Sequence, residues 1–273
     1  MSNMKDADIH MDSILADIRS RGCVLMLDFD GVLSPIVEKP SQARISPVAR
    51  RSLIACAKKM PVAVITGRPL LDIEVRIGLT EIIYAGSHGV EWKMDGQIHR
   101  HGISQNSLSA FEMARRPLLQ HAEIFPELFV EDNNLSLTFG YRLLSATQAV
   151  QFRIGATEIA EKFVSAGGIR LIDNLFTFEI TPMTDWTKGS CARHIYYATR
   201  KGNALPIYIG DSLSDEDAFR VFAESGITIR VGESHTSLAQ YYFKSRTRVD
   251  RFLHNISSET NPEVAETVQS SPA

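Results

Sequence analysis

The chain has 273 residues, of which 44% are hydrophobic and 22% charged, with a formal net charge of -3. Such a balance belongs to a soluble globular protein of one large or two modest domains, and it argues against a nucleic-acid or anionic-membrane surface. Cys23, Cys56 and Cys191 lack metal-ligand spacing, the first twenty residues are polar, and no apolar run approaches bilayer length. The expectation is a cytoplasmic protein with reduced core cysteines, no membrane segment and no nucleic-acid partner.

Residues 8–20 place Ile9, Ile14, Leu15 and Ile18 at loosely helical spacing. The unbroken apolar run Cys23–Leu27 then predicts a strand buried on both faces. It leads into Asp28-Phe29-Asp30-Gly31, two carboxylates at a strand end where burial is costly without a cation. Ser46-Pro47 is a helix start, serine capping and proline opening the first turn, and the helix is expected to run to about Lys59. Val62–Ile65 is a second buried strand ending in Thr66-Gly67-Arg68. A helix over 70–77 and a short strand over 82–85, ending in Gly86-Ser87-His88-Gly89, continue a parallel α/β pattern.

The pattern changes after about residue 102. A helix over 104–122 precedes Leu128–Glu131, a turn at Asp132-Asn133-Asn134, and the alternating run Leu135-Ser136-Leu137-Thr138-Phe139-Gly140-Tyr141. Strict alternation predicts an antiparallel strand with one open face, its Leu135/Leu137/Phe139/Tyr141 side turned to a core. A helix over 145–166 and a hairpin over 169–180 follow. The parallel pattern resumes with a helix from Lys188 to about Thr199, the strand 206–209 ending in Gly210-Asp211, a helix over 215–223 and a last short strand at 228–231. Residues 1–102 and 182–255 are therefore expected to form an α/β core with a parallel sheet. Residues 103–181 form an inserted α+β domain, and 256–273 a loose tail rich in Ser, Thr, Glu and Pro.

In an open parallel sheet, ligands bind at the carboxyl ends of strands. Asp28 and Asp30, Thr66-Gly67-Arg68, and Gly210-Asp211 all stand at such ends, and Lys188 opens a helix between them in sequence. Carboxylates, a hydroxyl and a lysine gathered at one edge suit phosphoryl transfer, which needs an in-line nucleophile, a divalent cation and fixed donors. In that chemistry Asp28 attacks phosphorus, and Asp30 protonates the leaving alcohol and later activates water. Asp211 completes a magnesium site with Asp28 and the backbone carbonyl of Asp30. Asp215 orients a metal-bound water or Lys188, Thr66 hydrogen-bonds the phosphoryl group, and Lys188 neutralises it. Lys188 at a helix start opposes the helix dipole, a conflict that an anionic ligand resolves. Arg68 has a phosphate or substrate role or a structural ion pair open to it, and His88 a substrate or a structural role.

Asp28-x-Asp30-Gly31, Thr66-Gly67-Arg68, Lys188 and Gly210-Asp211-x-x-x-Asp215 resemble the four motifs of haloacid-dehalogenase-like phosphatases. Leu27–Val37, Ala85–Gly89, Val130–Asp132, Tyr141-Arg142, Trp186–Gly189 and Gly210–Phe219 are similar to the trehalose-6-phosphate phosphatase family. The resemblance implies a Rossmann-like core with a mobile α+β cap, Mg2+ as cofactor, and a phosphorylated sugar or disaccharide as substrate, trehalose 6-phosphate above others. It also implies that Glu131 and Arg142 contact sugar hydroxyls, and it leaves room for a glycosyltransferase partner from the same pathway. Three positions depart from the family pattern. Asn133-Asn134 stand where a lysine is usual, Gly140 replaces a histidine, and Thr181 replaces a frequent arginine. The departures leave the reaction intact and open the sugar to rivals: glucosylglycerol phosphate, and glucosyl- or mannosyl-phosphoglycerate. A non-catalytic sugar-phosphate sensor or partner of a glycosyltransferase is the alternative from another class.

Overall fold

The computed structural model describes residues 4–258 apart from Lys39 and Leu175. Its first half builds one side of a large sheet. A two-residue strand β1 (Lys5–Asp6) precedes α1 (Met11–Arg21), which turns Met11, Ile14, Leu15 and Ile18 inward while Ile9 stays exposed outside the helix. Strand β2 (Cys23–Leu27) is buried along its whole length, as its unbroken apolar run demands. Ser46 caps α2 (Pro47–Ala57) by accepting from the Ala49 N–H. β3 (Val62–Ile65), α3 (Leu70–Ile77) and β4 (Ile83–Gly86) follow. A hairpin of β5 (Glu91–Met94) and β6 (Gln97–Arg100) was not anticipated. Its signal was the Asp95-Gly96 pair, whose positive φ angles of 52° and 76° are what a tight two-residue hairpin turn requires.

The middle of the chain folds as its own unit. It contains α4 (Gln105–Ala122), β7 (Phe129–Asn133), β8 (Ser136–Gly140), α5 (Ala146–Ser165), β9 (Ile169–Asn174) and β10 (Thr177–Pro182). The four strands form an antiparallel sheet in the order β7-β8-β10-β9. Strand β7 runs on through Asn133, so the turn falls at Asn134-Leu135, one step later than the run of Asp and Asn suggested. Leu137, Phe139, Phe178, Ile180 and Ile169 point to one side and pack with Phe111, Leu118, Phe152 and Ala156 of α4 and α5. Phe152 is the hub: its ring lies within 5.4 to 6.2 Å of those of Phe125, Phe139, Tyr141, Phe178 and His121. Alternation puts Glu131, Asn133, Ser136, Thr138, Arg170, Glu179 and Thr181 on the other side. This unit spans residues 101–186, with 37–42 clustered beside them, where the sequence suggested 103–181. The longer span follows from its two ends meeting, since the His101 ring stacks on Trp186 at 4.5 Å and Nε2 of His101 lies 3.2 Å from the Asp185 carboxylate.

The chain then completes the first unit with α6 (Lys188–Thr199), β11 (Leu205–Gly210), α7 (Glu216–Phe222), β12 (Ile227–Val231), β13 (Tyr241–Phe243) and α8 (Arg246–Ser258). The large sheet has the order β1-β13-β12-β11-β2-β3-β4-β5-β6, parallel through β4 and antiparallel beyond it. Two helical groups cover it, α8 packing with α1 and α2 and α6 packing with α7. Tyr241 and Tyr242 lie in β13. Ile256–Ser258 belong to α8 rather than to a loose tail, because Val249, Phe252, Leu253 and Ile256 form one buried stripe. The remaining tail, 259–273, lies outside the described residues. The three cysteines are free and buried. Among the described residues no helix is long and apolar enough to cross a membrane.

Removing the hub should destabilise the smaller unit selectively. Phe152→Ala is expected to cost about 3–5 kcal/mol, visible as an early separate step in urea unfolding. An unchanged denaturation curve would contradict the packing described.

Candidate active site

Sheet order decides which side chains meet. Strand β2 lies between β11 and β3, with Ile209 opposite Leu27 and Leu27 opposite Val64. The chain leaves β2 toward β3 and β4 on one side, and β11 leads to β12 and β13 on the other, so the crevice at the switch point opens beside the end of β2. Asp28 stands there, its N–H still donating to the Ile209 carbonyl at 2.9 Å. Thr66 follows the neighbouring β3, and Asp211 follows β11. Gly31 turns the loop after Asp30 with φ of 73°, and a Cβ at this position would lie 1.9 Å from Oδ2 of Asp211. Only glycine satisfies both demands.

Lys188 begins α6 just after the Thr187 cap, and it is 2% exposed. Its Nζ donates to Oδ2 of Asp28 at 2.8 Å and to Oδ1 of Asp215 at 3.0 Å. Asp215 is fully buried and saturated with donors. Tyr208 Oη donates to Oδ1, while the Asp211 N–H, the Ser212 N–H and the Ser212 hydroxyl donate to Oδ2. Tyr208 and Ser212 escaped the sequence reading. A tyrosine in an otherwise apolar buried strand was the available signal, because a buried hydroxyl must find a partner.

One cation among three carboxylates leaves the site short of positive charge. Ligand oxygens of Asp28, Asp211 and Asp215 all lie within 4.8 Å of one another. Burial pushes the Asp28 carboxyl up to about 7, with Lys188 opposing and Asp215 and Asp30 adding to the rise. Burial also raises Asp211 well above the carboxylate range, reinforced by the charges of Asp28 and Asp215. At Asp215 burial acts the same way, but Lys188 and the Ser212 donors outweigh it and hold the group low. Lys188 loses proton affinity to burial and regains more from Asp215 and Asp28, so it stays charged. The Asp211 carboxylate accepts no hydrogen bond among the described residues. An all-oxygen cluster with one unsatisfied carboxylate suits a hard divalent cation.

Thr66 is 1% exposed, and its Oγ1 accepts from the Arg68 N–H at 3.3 Å. Arg68 directs its guanidinium at Asp30, Nε to Oδ2 at 2.6 Å and Nη2 to Oδ1 at 2.8 Å. His88 lies in the turn after β4, where Ser87 and His88 both adopt positive φ, and its N–H donates to the Thr66 carbonyl at 2.9 Å. The turn is thereby latched onto the strand end that carries Thr66.

The remaining two residues belong to the other unit. Glu131 is opposite Thr138, which is opposite Glu179, so two carboxylates flank a hydroxyl in one row of the sheet face turned away from the aromatic core, with Glu179 itself buried. Asn133 Nδ2 donates to Glu131 Oε1 at 3.2 Å. Arg142 lies past the end of β8, its guanidinium carbon 4.8 Å from the centroid of the Phe176 ring. Glu179 was missed in the sequence, although period-2 alternation from Thr181 already put it on this face.

The parallel sheet, the acidic cluster at its edge and the separate α+β unit define a haloacid-dehalogenase-type fold. A family model described as trehalose-phosphatase matches residues 26–247, and the chain belongs to that family of phosphoric monoester hydrolases. The trehalose-phosphate phosphatase of Mycobacterium tuberculosis is 31% identical over 268 residues, which is 95% of this chain and 67% of that protein. The probable trehalose-phosphate phosphatase I of Arabidopsis thaliana is 30% identical over 228 residues, 79% of this chain and 61% of its own. Among solved structures, the C-terminal domain of the trehalose-6-phosphate phosphatase of Candida albicans superposes with a TM-score of 0.84 at 19% identity. That match covers 95% of this chain and all of the other, and it speaks to the fold alone.

The raised carboxyls make a signed prediction. Between roughly pH 4, the unfolded value, and pH 7, the metal-free folded protein holds protons that the unfolded chain has released. Stability should therefore fall as pH rises through that window. Asp215 acts oppositely, its contribution being lost only on acidification below the unfolded value. Tm in chelator is expected to be higher near pH 5.5 than near pH 8, and Asp211→Asn should raise the Tm at pH 8 by roughly 3–6 °C. A Tm that climbs toward pH 8, or an Asp211→Asn variant less stable than wild type there, would refute the charge crowding.

Proposed function

We propose that this chain hydrolyses trehalose 6-phosphate by magnesium-dependent transfer of the phosphoryl group to Asp28. The observation that carries the reading is the buried Lys188 bridging Asp28 and Asp215, with the unsatisfied Asp211 carboxylate beside them. A sugar-phosphate sensor without turnover would gain nothing from carboxylates that repel its ligand, which argues against that alternative. Asp28, Asp211 and the backbone carbonyl of Asp30 would hold Mg2+, which neutralises phosphoryl charge when bound.

The chain's own groups divide the remaining work. Lys188 holds Asp28 Oδ2 while the Phe29 N–H holds Oδ1 at 2.6 Å, so the carboxylate is oriented before substrate arrives. Thr66 already accepts through its oxygen, which leaves its hydroxyl proton to donate to a phosphoryl oxygen. In the first half-reaction the bond from Asp28 to phosphorus forms as the ester P–O bond breaks, and the proton of Asp30 goes to the leaving sugar oxygen. In the second, water attacks the aspartyl-phosphate, its proton passes to Asp30, and Asp28 is released. Asp215 keeps Lys188 in register.

The names of the relatives and the row Glu131–Thr138–Glu179 support trehalose 6-phosphate as the substrate, Glu131 and Arg142 serving as sugar contacts and the second unit as a mobile cap. Carboxylates and hydroxyls gathered on one polar sheet face suit a polyhydroxyl ligand. His88 acts chiefly through the turn it latches to Thr66. Three free buried cysteines fit a reducing, cytoplasmic setting, and a glycosyltransferase that makes the phosphorylated sugar is the natural pathway partner.

Phosphate release across a panel of trehalose 6-phosphate, glucosylglycerol phosphate and glucosyl- and mannosyl-phosphoglycerate, with Mg2+, tests the reading. The expected result is a preference for trehalose 6-phosphate in kcat/KM of roughly 10²-fold or more. A preference for another member moves the substrate to that glycoside phosphate, which the departures at Asn133, Gly140 and Thr181 would then explain. Release from none of them would restore the sensor. Asp28→Asn should lower turnover by more than about 10³-fold while the protein stays folded. Normal activity in that variant would sink the mechanism.

A further inference from the structure

Arg68 follows the turn after β3 and is 8% exposed. Its guanidinium meets Asp30 with two parallel hydrogen bonds, the bidentate arrangement that fixes a carboxylate in plane as well as in position. A third donor, Nη1, reaches Oδ2 of Asp72 at 3.2 Å. Asp72 is held in turn, since the same oxygen accepts from Arg76 Nε at 2.6 Å and Arg76 Nη1 donates to the Ala43 carbonyl at 2.9 Å. The guanidinium carbon of Arg68 also sits 5.4 Å from the centroid of the Phe29 ring. The backbone of Arg68 is fixed at both ends, its N–H on Thr66 Oγ1 and its carbonyl accepting the Ser87 N–H at 2.8 Å.

Asp30 presents the opposite case, with a side chain 41% exposed on the loop just before it turns at Gly31. A carboxylate so placed samples several rotamers unless something holds it. We propose that Arg68 is the positioning residue for Asp30 rather than a substrate contact, and that Asp72 and Arg76 hold Arg68 in place for that task. This rests on the acid/base role given to Asp30 above. Each oxygen in the fork keeps a second lone pair, so Asp30 can carry a proton while Arg68 still binds it. The sugar alkoxide is a poor leaving group and needs that proton as the ester bond breaks. A p-nitrophenolate leaves without it, so loss of positioning should depend on the leaving group.

The test compares wild type, Arg68→Met, Arg68→Lys, Asp72→Asn, Asp30→Asn and the Asp30→Asn/Arg68→Met double variant. Substrates are the sugar phosphate that wild type turns over best, and p-nitrophenyl phosphate followed by its phenolate burst. Arg68→Met should lower kcat on the sugar phosphate about 10- to 100-fold, with KM and the phenolate burst rate changed less than about threefold. Arg68→Lys, a point charge without the fork, should fall between wild type and Arg68→Met. The double variant should be no slower than Asp30→Asn alone, because the two residues act as a unit. A rise in KM of about tenfold with kcat unchanged would make Arg68 a substrate contact and overturn the proposal, as would equal losses on both substrates or additive losses in the double variant. Should Arg68→Met fail to fold, Asp72→Asn decides: a leaving-group-selective loss of about two- to fivefold supports the proposal and an unselective one or none refutes it. Wild type inactive on every sugar phosphate would instead overturn the function proposed above.

Discussion

The structure turns on Lys188, a single buried ammonium facing more negative charge than it can neutralise. A lone carboxylate buried at the end of β2 would take up a proton, and a lone lysine at the start of α6 would give one up. Paired, the lysine keeps its charge and offsets part of the burial cost at Asp28, and Asp215 makes the arrangement rigid by pinning the lysine to the loop after β11. The deficit that remains sits on Asp211, at the end of β11 beside Asp28. Buried charge of this kind adds little to stability and is kept for what it prepares. Here it prepares a place where a cation is electrostatically welcome.

The rest of the first unit is arranged around that deficit. Gly31 lets Asp211 approach the β2 loop, Tyr208 caps Asp215 from within the sheet, and the strained turn at Ser87-His88 ties the end of β4 to Thr66. Backbone strain at two consecutive non-glycine residues persists only where surrounding contacts over-determine it, and the hydrogen bonds to Thr66 and Arg68 supply that. The second unit follows a different logic. Its core is an aromatic cluster centred on Phe152, and the polar row is simply the face that the core does not use.

Much of this was legible in the chain because strand ends announce themselves. An apolar run interrupted by Asp28, Thr66 or Asp211 tells where a buried strand stops, and Lys188 directly follows a capping threonine. Alternation in 135–141 likewise exposed the second sheet. Other features were legible and overlooked. Asp95-Gly96 marks the β5–β6 hairpin, and Val249, Phe252, Leu253 and Ile256 recur at the helical interval in a segment partly assigned to the tail. The pairing of Arg68 with Asp30 was of a third kind, hidden because it depends on a side-chain direction across two loops. The same holds for the hydroxyl of Tyr208, whose partner lies seven residues on beyond a turn.

The bond from Lys188 to Asp28 joins residues 160 positions apart in the chain. Between them lies an entire unit with its own sheet and its own core. During synthesis, therefore, the half of the sheet that carries Asp28 and the whole second unit emerge before its lysine partner and before β11, its sheet neighbour. A nascent chain ending near residue 186 carries Asp28 without its countercharge, at an open sheet edge that nothing yet covers. The buried charge cluster is thus completed late in synthesis, and the edge waiting for β11 is where a stalled or truncated chain is most exposed to mispairing.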